Sequence, residues 1–419
     1  MALDKIRIHG GNKLKGEITI SGSKNAALPL LALTTLADEP CTIHNVPHLE
    51  DINNMIKILK SLGAKVTQEK NTITVDASKL TSFEAPYDIV RKMRASVVFM
   101  GPLLAKYGES KVSLPGGCAI GVRPIDLHLK AFEALGAKIQ IEEGYVLATG
   151  KQLKGTKFFF DKITVTGTMN AMMAAACATG ETVLQNCAKE PEVICFADAM
   201  RKMGIKVSGD GTDNIHIEGI KKIGGFEIDN IPDRIETGTY MIAASITGGD
   251  LFVKNTNPSL LDSVIAKLKQ TGSTVEEEKN GIWVKSGPKI LPCDIETQPH
   301  PGFPTDMQAQ FVSLLCMADG QSNVSETIFE NRFMHVPELA RMGAHVKVSG
   351  HTVTIDGVKQ LNGAPVMATD LRASASLVLA GLAAKGTTEV LRVYHLDRGY
   401  ERMDLKLKAV GASIERVPE

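Results

Sequence analysis

Tryptophan occurs once and tyrosine six times in 419 residues. That scarcity argues against an aromatic platform for stacking bases or sugars. A surplus of either charge is also missing, since 47 Lys and Arg stand against 47 Asp and Glu. Binders of polyanions usually carry a basic excess, so no nucleic-acid partner is expected. No run of about 18 apolar residues occurs, so no membrane span is expected. Met1-Ala2-Leu3-Asp4-Lys5 has no apolar stretch behind its first charges, so no signal peptide is expected. The seven cysteines (41, 118, 177, 187, 195, 293 and 316) are odd in number and show no CxxC spacing. Neither a disulfide framework nor a zinc site is expected, and a reducing cytoplasm fits. His335 and His345 have no partners at ligand spacing, so no metal site is expected; no cofactor is expected either. Hydrophobic residues at 43% and charged residues at 22% exclude global disorder. The length suggests two or three domains.

What is present is a repeat. An apolar residue, a glycine and then a β-branched stretch recur at Gly63, Gly136, Gly204, Gly272, Gly343 and Gly411, about 70 residues apart. A glycine just past a helical stretch reads as a left-handed C′ cap, and the following residues read as a strand. Upstream lie small-residue-rich apolar segments, such as Met172-Met173-Ala174-Ala175-Ala176 and Leu377-Val378-Leu379-Ala380. They are apolar on nearly every face, which predicts buried helices. Each unit therefore reads as β-α-β-α-β, with helices inside and sheets outside. Six units exceed one core. The expected fold is α/β (α+β): two domains of three units each, with buried helices inside, sheets outside and a cleft between them. Residues 22–231 would form the first domain, carrying the Cys118 loop; residues 1–21 and 232–419 would form the second. The leading strand around Ile6-Arg7-Ile8-His9 is expected to close the second domain.

The six buried helices open near Lys24-Asn25, Arg94, Thr166-Gly167-Thr168, Glu236-Thr237, Thr305-Asp306 and Arg372. Ser and Thr there read as N-caps. Capping does not explain the three bases, because a cation opposes the helix dipole at that end. A shared anionic small substrate would explain them. The loop Leu114-Pro-Gly-Gly-Cys118, followed by Gly121-Val-Arg123-Pro124, offers flexibility and a nearby cation that would activate a thiol. On the residues alone, a reactive Cys118 and a hairpin with an incidental cysteine stand side by side. Thr305 and Gln308 fit a capping box, which leaves Asp306 as a first-turn acid. Asp233-Arg234-Ile235-Glu236 reads as an internal salt bridge.

Taken together, Ser21-Gly-Ser-Lys24-Asn25, Met93-Arg94-Ala-Ser, the Cys118 loop, Asp233-Arg-Ile-Glu236-Thr-Gly-Thr, Phe303-Pro-Thr-Asp306-Met-Gln, Thr369-Asp-Leu-Arg372 and Tyr394-His-Leu-Asp-Arg398 resemble the enolpyruvyl transferases that act on UDP-N-acetylglucosamine. The match runs through the whole chain in order. The resemblance implies two inside-out α/β barrel domains with the active site in the interdomain cleft, and transfer of the enolpyruvyl group of phosphoenolpyruvate to a sugar-nucleotide hydroxyl, with release of phosphate. It implies Cys118 as the acid and Asp306 as the base. Lys24, Arg123, Arg372 and Arg398 would hold phosphate and carboxylate, with Lys24 and Arg398 also counted among the catalytic groups. Asn25, Arg94, Pro124, Asp126, Leu127, Lys162, Thr164, Val165 and Ile328 would contact the sugar nucleotide, and Arg332 would also bind substrate. The stretch Asp161-Lys-Ile-Thr-Val-Thr166 departs from the family's usual serine and glycine choices. Two alternatives remain at this point. One is the shikimate-type relative, which generally lacks a cysteine in this loop; the other is a non-catalytic clamp for phosphorylated ligands.

Overall fold

A computed structural model describes residues 4–85, 87, 94–114 and 125–419. Cys118, Arg123 and Pro124 lie outside the described residues, as does the side chain of Arg94. The chain divides into two compact units, one within 22–231 and the other formed by 4–21 with 232–419. Each has its own hydrophobic core.

Each unit holds three four-stranded sheets. The second repeat shows the common order. Strand Glu84–Ala85 lies parallel to Glu109–Ser113, which pairs antiparallel with Tyr145–Thr149, which in turn pairs with Lys138–Glu142. The repeat is therefore β-α-β-α-β-β, one strand more than the sequence reading allowed. The extra strand returns through a tight hairpin: Glu143 and Gly144 both have positive φ, 51° and 80°, which suits the twist of a two-residue turn. No strand pair joins one sheet to another among the described residues. The barrels are inside-out stacks of sheets around helices, without a closed hydrogen-bonded ring.

The apolar segments form the inner layer. All thirteen residues of helix Arg234–Ile246 are buried, and so are eleven of the thirteen in Leu371–Ala383. In that unit these two helices and Gln308–Leu315 pack on one another; in the other, Lys24–Leu33, Met100–Tyr107 and Val165–Ala175 form the inner layer. The outer helices, such as Glu50–Ser61, bury one stripe (Ile52, Met55, Ile56, Leu59) and expose the other. The cap glycines lie between φ 90° and 101° at all six repeat positions, where an added Cβ is strained.

The strand Asp4–His9 completes the last sheet from the other end of the chain, lying third in it between Thr387–Leu391 and Ser413–Pro418. Ile6 and Ile8 point inward and are fully buried. The two passages of the chain between units are tied locally. Asp233 N–H donates to Ser21 O at 2.9 Å, and Ser23 N–H donates to Ile231 O at 2.7 Å. No helix among the described residues is long and apolar enough to cross a membrane.

Candidate active site

Asp306 is the centre of a buried charge cluster in the second unit. It sits in a 3-10 turn, Thr305–Met307, just before helix Gln308–Leu315. Arg332 Nη2 donates to its Oδ1 at 2.6 Å. Arg372 donates to Oδ2 from Nη2 at 2.8 Å and from Nε at 3.2 Å. Both guanidiniums are buried, whereas 27% of the Asp306 side chain is open to solvent. Partial burial opposes the charge, but Arg372 and then Arg332 outweigh it and hold the carboxyl well below the usual range. Asp306 is therefore ionised at neutral pH.

The two arginines are themselves fixed. Arg332 Nη1 donates to Thr305 Oγ1 at 2.7 Å, and its guanidinium lies 5.2 Å from the Phe329 ring centre. Arg372 stands over the ring of the buried Tyr400 at 5.4 Å. The Tyr400 hydroxyl meets Thr239 Oγ1 at 2.9 Å and accepts from Gln310 Nε2 at 3.2 Å. Gln310 Nε2 also donates to the Asp306 carbonyl at 2.9 Å. Arg372 Nη1 is buried and has no partner among the described residues, which leaves one guanidinium nitrogen for an anion. Burial pushes His335 down to about 4, so this neighbour is neutral at pH 7.

Lys24 opens helix Lys24–Leu33 in the first unit, after Ser23 as N-cap. Its Nζ lies 3.2 Å from Asp51 Oδ2, with the two side chains 10% and 3% exposed. The sequence puzzle of bases at helix N-termini thus has a physical answer for Lys24 and Arg372. Each is matched by a carboxylate, Asp51 or Asp306, contributed from another segment. Asn25 follows Lys24 and is half-buried.

The remaining sequence candidates are placed as follows. Asp126 begins helix Asp126–Ala134, is exposed, and lies 4.0 Å from Lys130; Leu127 beside it is half-buried. Lys162 is exposed. Thr164 caps helix Val165–Ala175 by accepting from Gly167 N–H at 3.2 Å. That helix opens at Val165, ahead of the Thr166-Gly167-Thr168 start read from sequence. Arg94 begins the 3-10 segment Arg94–Phe99. Ile328 is 36% exposed, and Arg398 ends the 3-10 segment Val393–Arg398. The structure thus gathers Asp306, Arg332 and Arg372 into direct contact, and pairs Lys24 with Asp51.

Two sequence readings are corrected. Thr305 and Gln308 do not form a capping box. Thr305 Oγ1 is drawn instead to Glu326 Oε2 at 2.7 Å, and the Gln308 amide has no partner among the described residues. Glu236 pairs with Lys406 at 2.7 Å and accepts from Ser21 N–H at 2.7 Å, while Asp233 caps its own helix. Sequence reasoning also passed over Asp51 and Glu326. The only signal for Asp51 was the unexplained base at the start of the first buried helix.

The six described cysteines are free. Burial pushes Cys41, Cys187 and Cys316 up to about 12 and Cys177 and Cys195 up to about 11, and raises Cys293 as well. These thiols are protonated at neutral pH and poor nucleophiles. No group of three His, Cys, Asp or Glu among the described residues is arranged to hold a metal.

Comparison with known proteins agrees in one direction. The family model of EPSP synthase (3-phosphoshikimate 1-carboxyvinyltransferase) matches residues 8–407. A UDP-N-acetylglucosamine 1-carboxyvinyltransferase of Geotalea uraniireducens is 55% identical over 417 residues, covering 100% of both chains. One from a Psychrobacter species is 52% identical, covering 99% of this chain and 97% of its own. The crystal structure of the enolpyruvyl transferase NikO from Streptomyces tendae superposes with a TM-score of 0.90 at 25% identity, over 100% of both chains. An EPSP synthase from Acinetobacter baumannii, 20% identical with a TM-score of 0.76 over 99% of this chain and 100% of its own, shares the fold. With a family model spanning nearly all of its residues and relatives above half identity from end to end, the chain belongs to the EPSP synthase family of 1-carboxyvinyltransferases.

Proposed function

We propose that this chain transfers the enolpyruvyl group of phosphoenolpyruvate to the 3′-hydroxyl of UDP-N-acetylglucosamine and releases phosphate, the first committed step of peptidoglycan synthesis. The observation that carries the reading is the Asp306 carboxylate held between two buried guanidiniums, in a chain that matches UDP-N-acetylglucosamine transferases over its full length.

The chemistry sets clear demands. The vinyl C2 becomes electrophilic only as C3 gains a proton, so acid and base must act together. Cys118 gives the proton to C3, and the sugar hydroxyl attacks C2 while its proton passes to Asp306. The resulting ketal carries both the phosphate and the sugar on C2. Loss of a proton from C3 then restores the double bond as the C–O bond to phosphate breaks. Lys24, Arg123, Arg372 and Arg398 hold phosphate and carboxylate and balance the developing charge. Asn25, Arg94, Pro124, Asp126, Leu127, Lys162, Thr164, Val165 and Ile328 contact the sugar nucleotide, and Arg332 also binds substrate.

Asp306 is a weak base while both arginines hold it. A phosphate that engages Arg372 takes up part of that positive charge and restores basicity when substrate is present. The six free thiols suit a reducing compartment, and we place the reaction in the cytoplasm. Release of inorganic phosphate tests the reading. It is expected only with phosphoenolpyruvate and UDP-N-acetylglucosamine together. Release with 3-phosphoshikimate as acceptor instead would move the chain to the other branch of the family, and no release with either acceptor would leave a phospho-ligand clamp.

A further inference from the structure

Glu326 has none of the roles assigned above, yet it lies directly behind the Asp306 fork. It is 1% exposed, and four donors converge on its carboxylate. Oε1 accepts from Thr297 Oγ1 at 2.9 Å and from the N–H groups of Ile328 and Phe329 at 2.9 and 3.2 Å. Oε2 accepts from Thr305 Oγ1 at 2.7 Å. A carboxylate only accepts, so both threonine hydroxyls must aim their protons at it and offer lone pairs elsewhere. The lone pair of Thr297 receives Thr327 N–H at 2.9 Å. That of Thr305 receives Arg332 Nη1 at 2.7 Å, and the second terminal nitrogen of the same guanidinium holds Asp306 Oδ1 at 2.6 Å.

We propose that Glu326 is a positioning residue for the transfer reaction: it fixes the polarity of the Thr305 hydroxyl, which seats the Arg332 fork that holds Asp306, and it anchors the turn that carries Ile328. One buried carboxylate thus sets the geometry of two segments, 305–306 and 328–332. The inference rests on the reaction proposed above, with Asp306 as its base. A glutamine at 326 conflicts with this arrangement in either orientation. Its NH2 faces the Thr305 hydroxyl and turns that proton toward Arg332, or it faces two backbone N–H groups that also donate.

The test uses the full chain with Glu326→Gln, Thr305→Val and Thr305→Ser, each checked for folding by circular dichroism and melting. For Glu326→Gln and Thr305→Val, kcat for phosphate release is expected to fall on the order of 10- to 100-fold. The KM for phosphoenolpyruvate should change far less. Thr305→Ser keeps the hydroxyl and should stay within a few-fold of wild type. The double variant Glu326→Gln/Thr305→Val should fall no further than the worse single, because both act through one chain of bonds. If Glu326→Gln does not fold, the Thr305 pair carries the comparison alone. A folded Glu326→Gln with wild-type kcat, or Thr305→Ser as impaired as Thr305→Val, overturns the proposal. A crystal structure of Glu326→Gln decides it independently of activity. Loss of the Arg332–Thr305 contact supports the proposal, and an unchanged fork refutes it. A wild-type chain that releases no phosphate refutes the assigned reaction and leaves that structural test standing.

Discussion

Replacing Asp306 with Asn keeps the shape of the side chain and removes its charge. Arg332 and Arg372, 5% and 2% exposed, are then left without the carboxylate that offsets their desolvation. Breaking a buried pair in this way costs about 3–5 kcal/mol. The 27% exposure of the Asp306 side chain lets water recover part of that, so about 2–4 kcal/mol is expected. For a unit of this size that is a melting-temperature loss of roughly 5–15 °C. Chemical denaturation of wild type and Asp306→Asn across pH gives the sharper result. The folded pKa of Asp306 lies below its unfolded value, so its contribution is fully present above the unfolded pKa, near 4, and is lost as pH falls toward the folded value. The gap between the two proteins should be constant from about pH 5 to 8 and should narrow below about pH 4. Inorganic phosphate should stabilise the Asn variant more than wild type, because it can occupy the vacated guanidiniums. A variant within 0.5 kcal/mol of wild type at pH 7 (about the size of a neutral surface change), or a gap that does not move with pH, would refute the idea that this carboxylate carries the charge balance of the site.

In the folded chain, iodoacetamide near neutral pH should label Cys118 and leave the six raised thiols untouched; peptide mapping that finds Cys41 or Cys316 modified would contradict their burial. Phosphoenolpyruvate should shift the pH dependence of Cys118 alkylation upward, because an added anion disfavours the thiolate; an unchanged profile would defeat Cys118 as the acid. A double-mutant cycle of Lys24→Met and Asp51→Asn should give a coupling of about 1–3 kcal/mol in urea unfolding, and a coupling near zero would mean that the 3.2 Å pair does not hold in solution. Ile8→Ala, at a fully buried site in a strand bonded on both sides, should cost about 2–5 kcal/mol. A cost below 1 kcal/mol, measured the same way, would mean that Asp4–His9 does not occupy the centre of its sheet.

The fold was largely legible because its repeat is written in backbone constraints. Gly63, Gly136, Gly204, Gly272, Gly343 and Gly411 mark positions where the chain needs positive φ, and such needs show in sequence whatever packs nearby. The inner helices were legible because no polar face is left to them. The strand after each hairpin, Tyr145–Thr149 in the second repeat, was missed although turns such as Glu143-Gly144 signal a hairpin, since the repeat pattern read from sequence ends each unit at the strand that follows its cap glycine. The site was half legible. Asp306, Arg332 and Arg372 stood out by resemblance, but their mutual contact joins segments far apart in sequence. Thr305 looked like a cap because the local spacing fitted; a buried carboxylate at Glu326, contributed from another segment, outbids the helix for its hydroxyl. Nothing local to Glu326 announces that pull.

The most direct measurement is the mass spectrum of the product formed from phosphoenolpyruvate and UDP-N-acetylglucosamine in heavy water. In the addition–elimination sequence C3 passes through a methyl group and then loses one hydrogen. The sugar nucleotide should therefore gain an enolpyruvyl group with solvent deuterium on its vinyl carbon. Unchanged UDP-N-acetylglucosamine, or an enolpyruvyl product free of deuterium, would contradict the account.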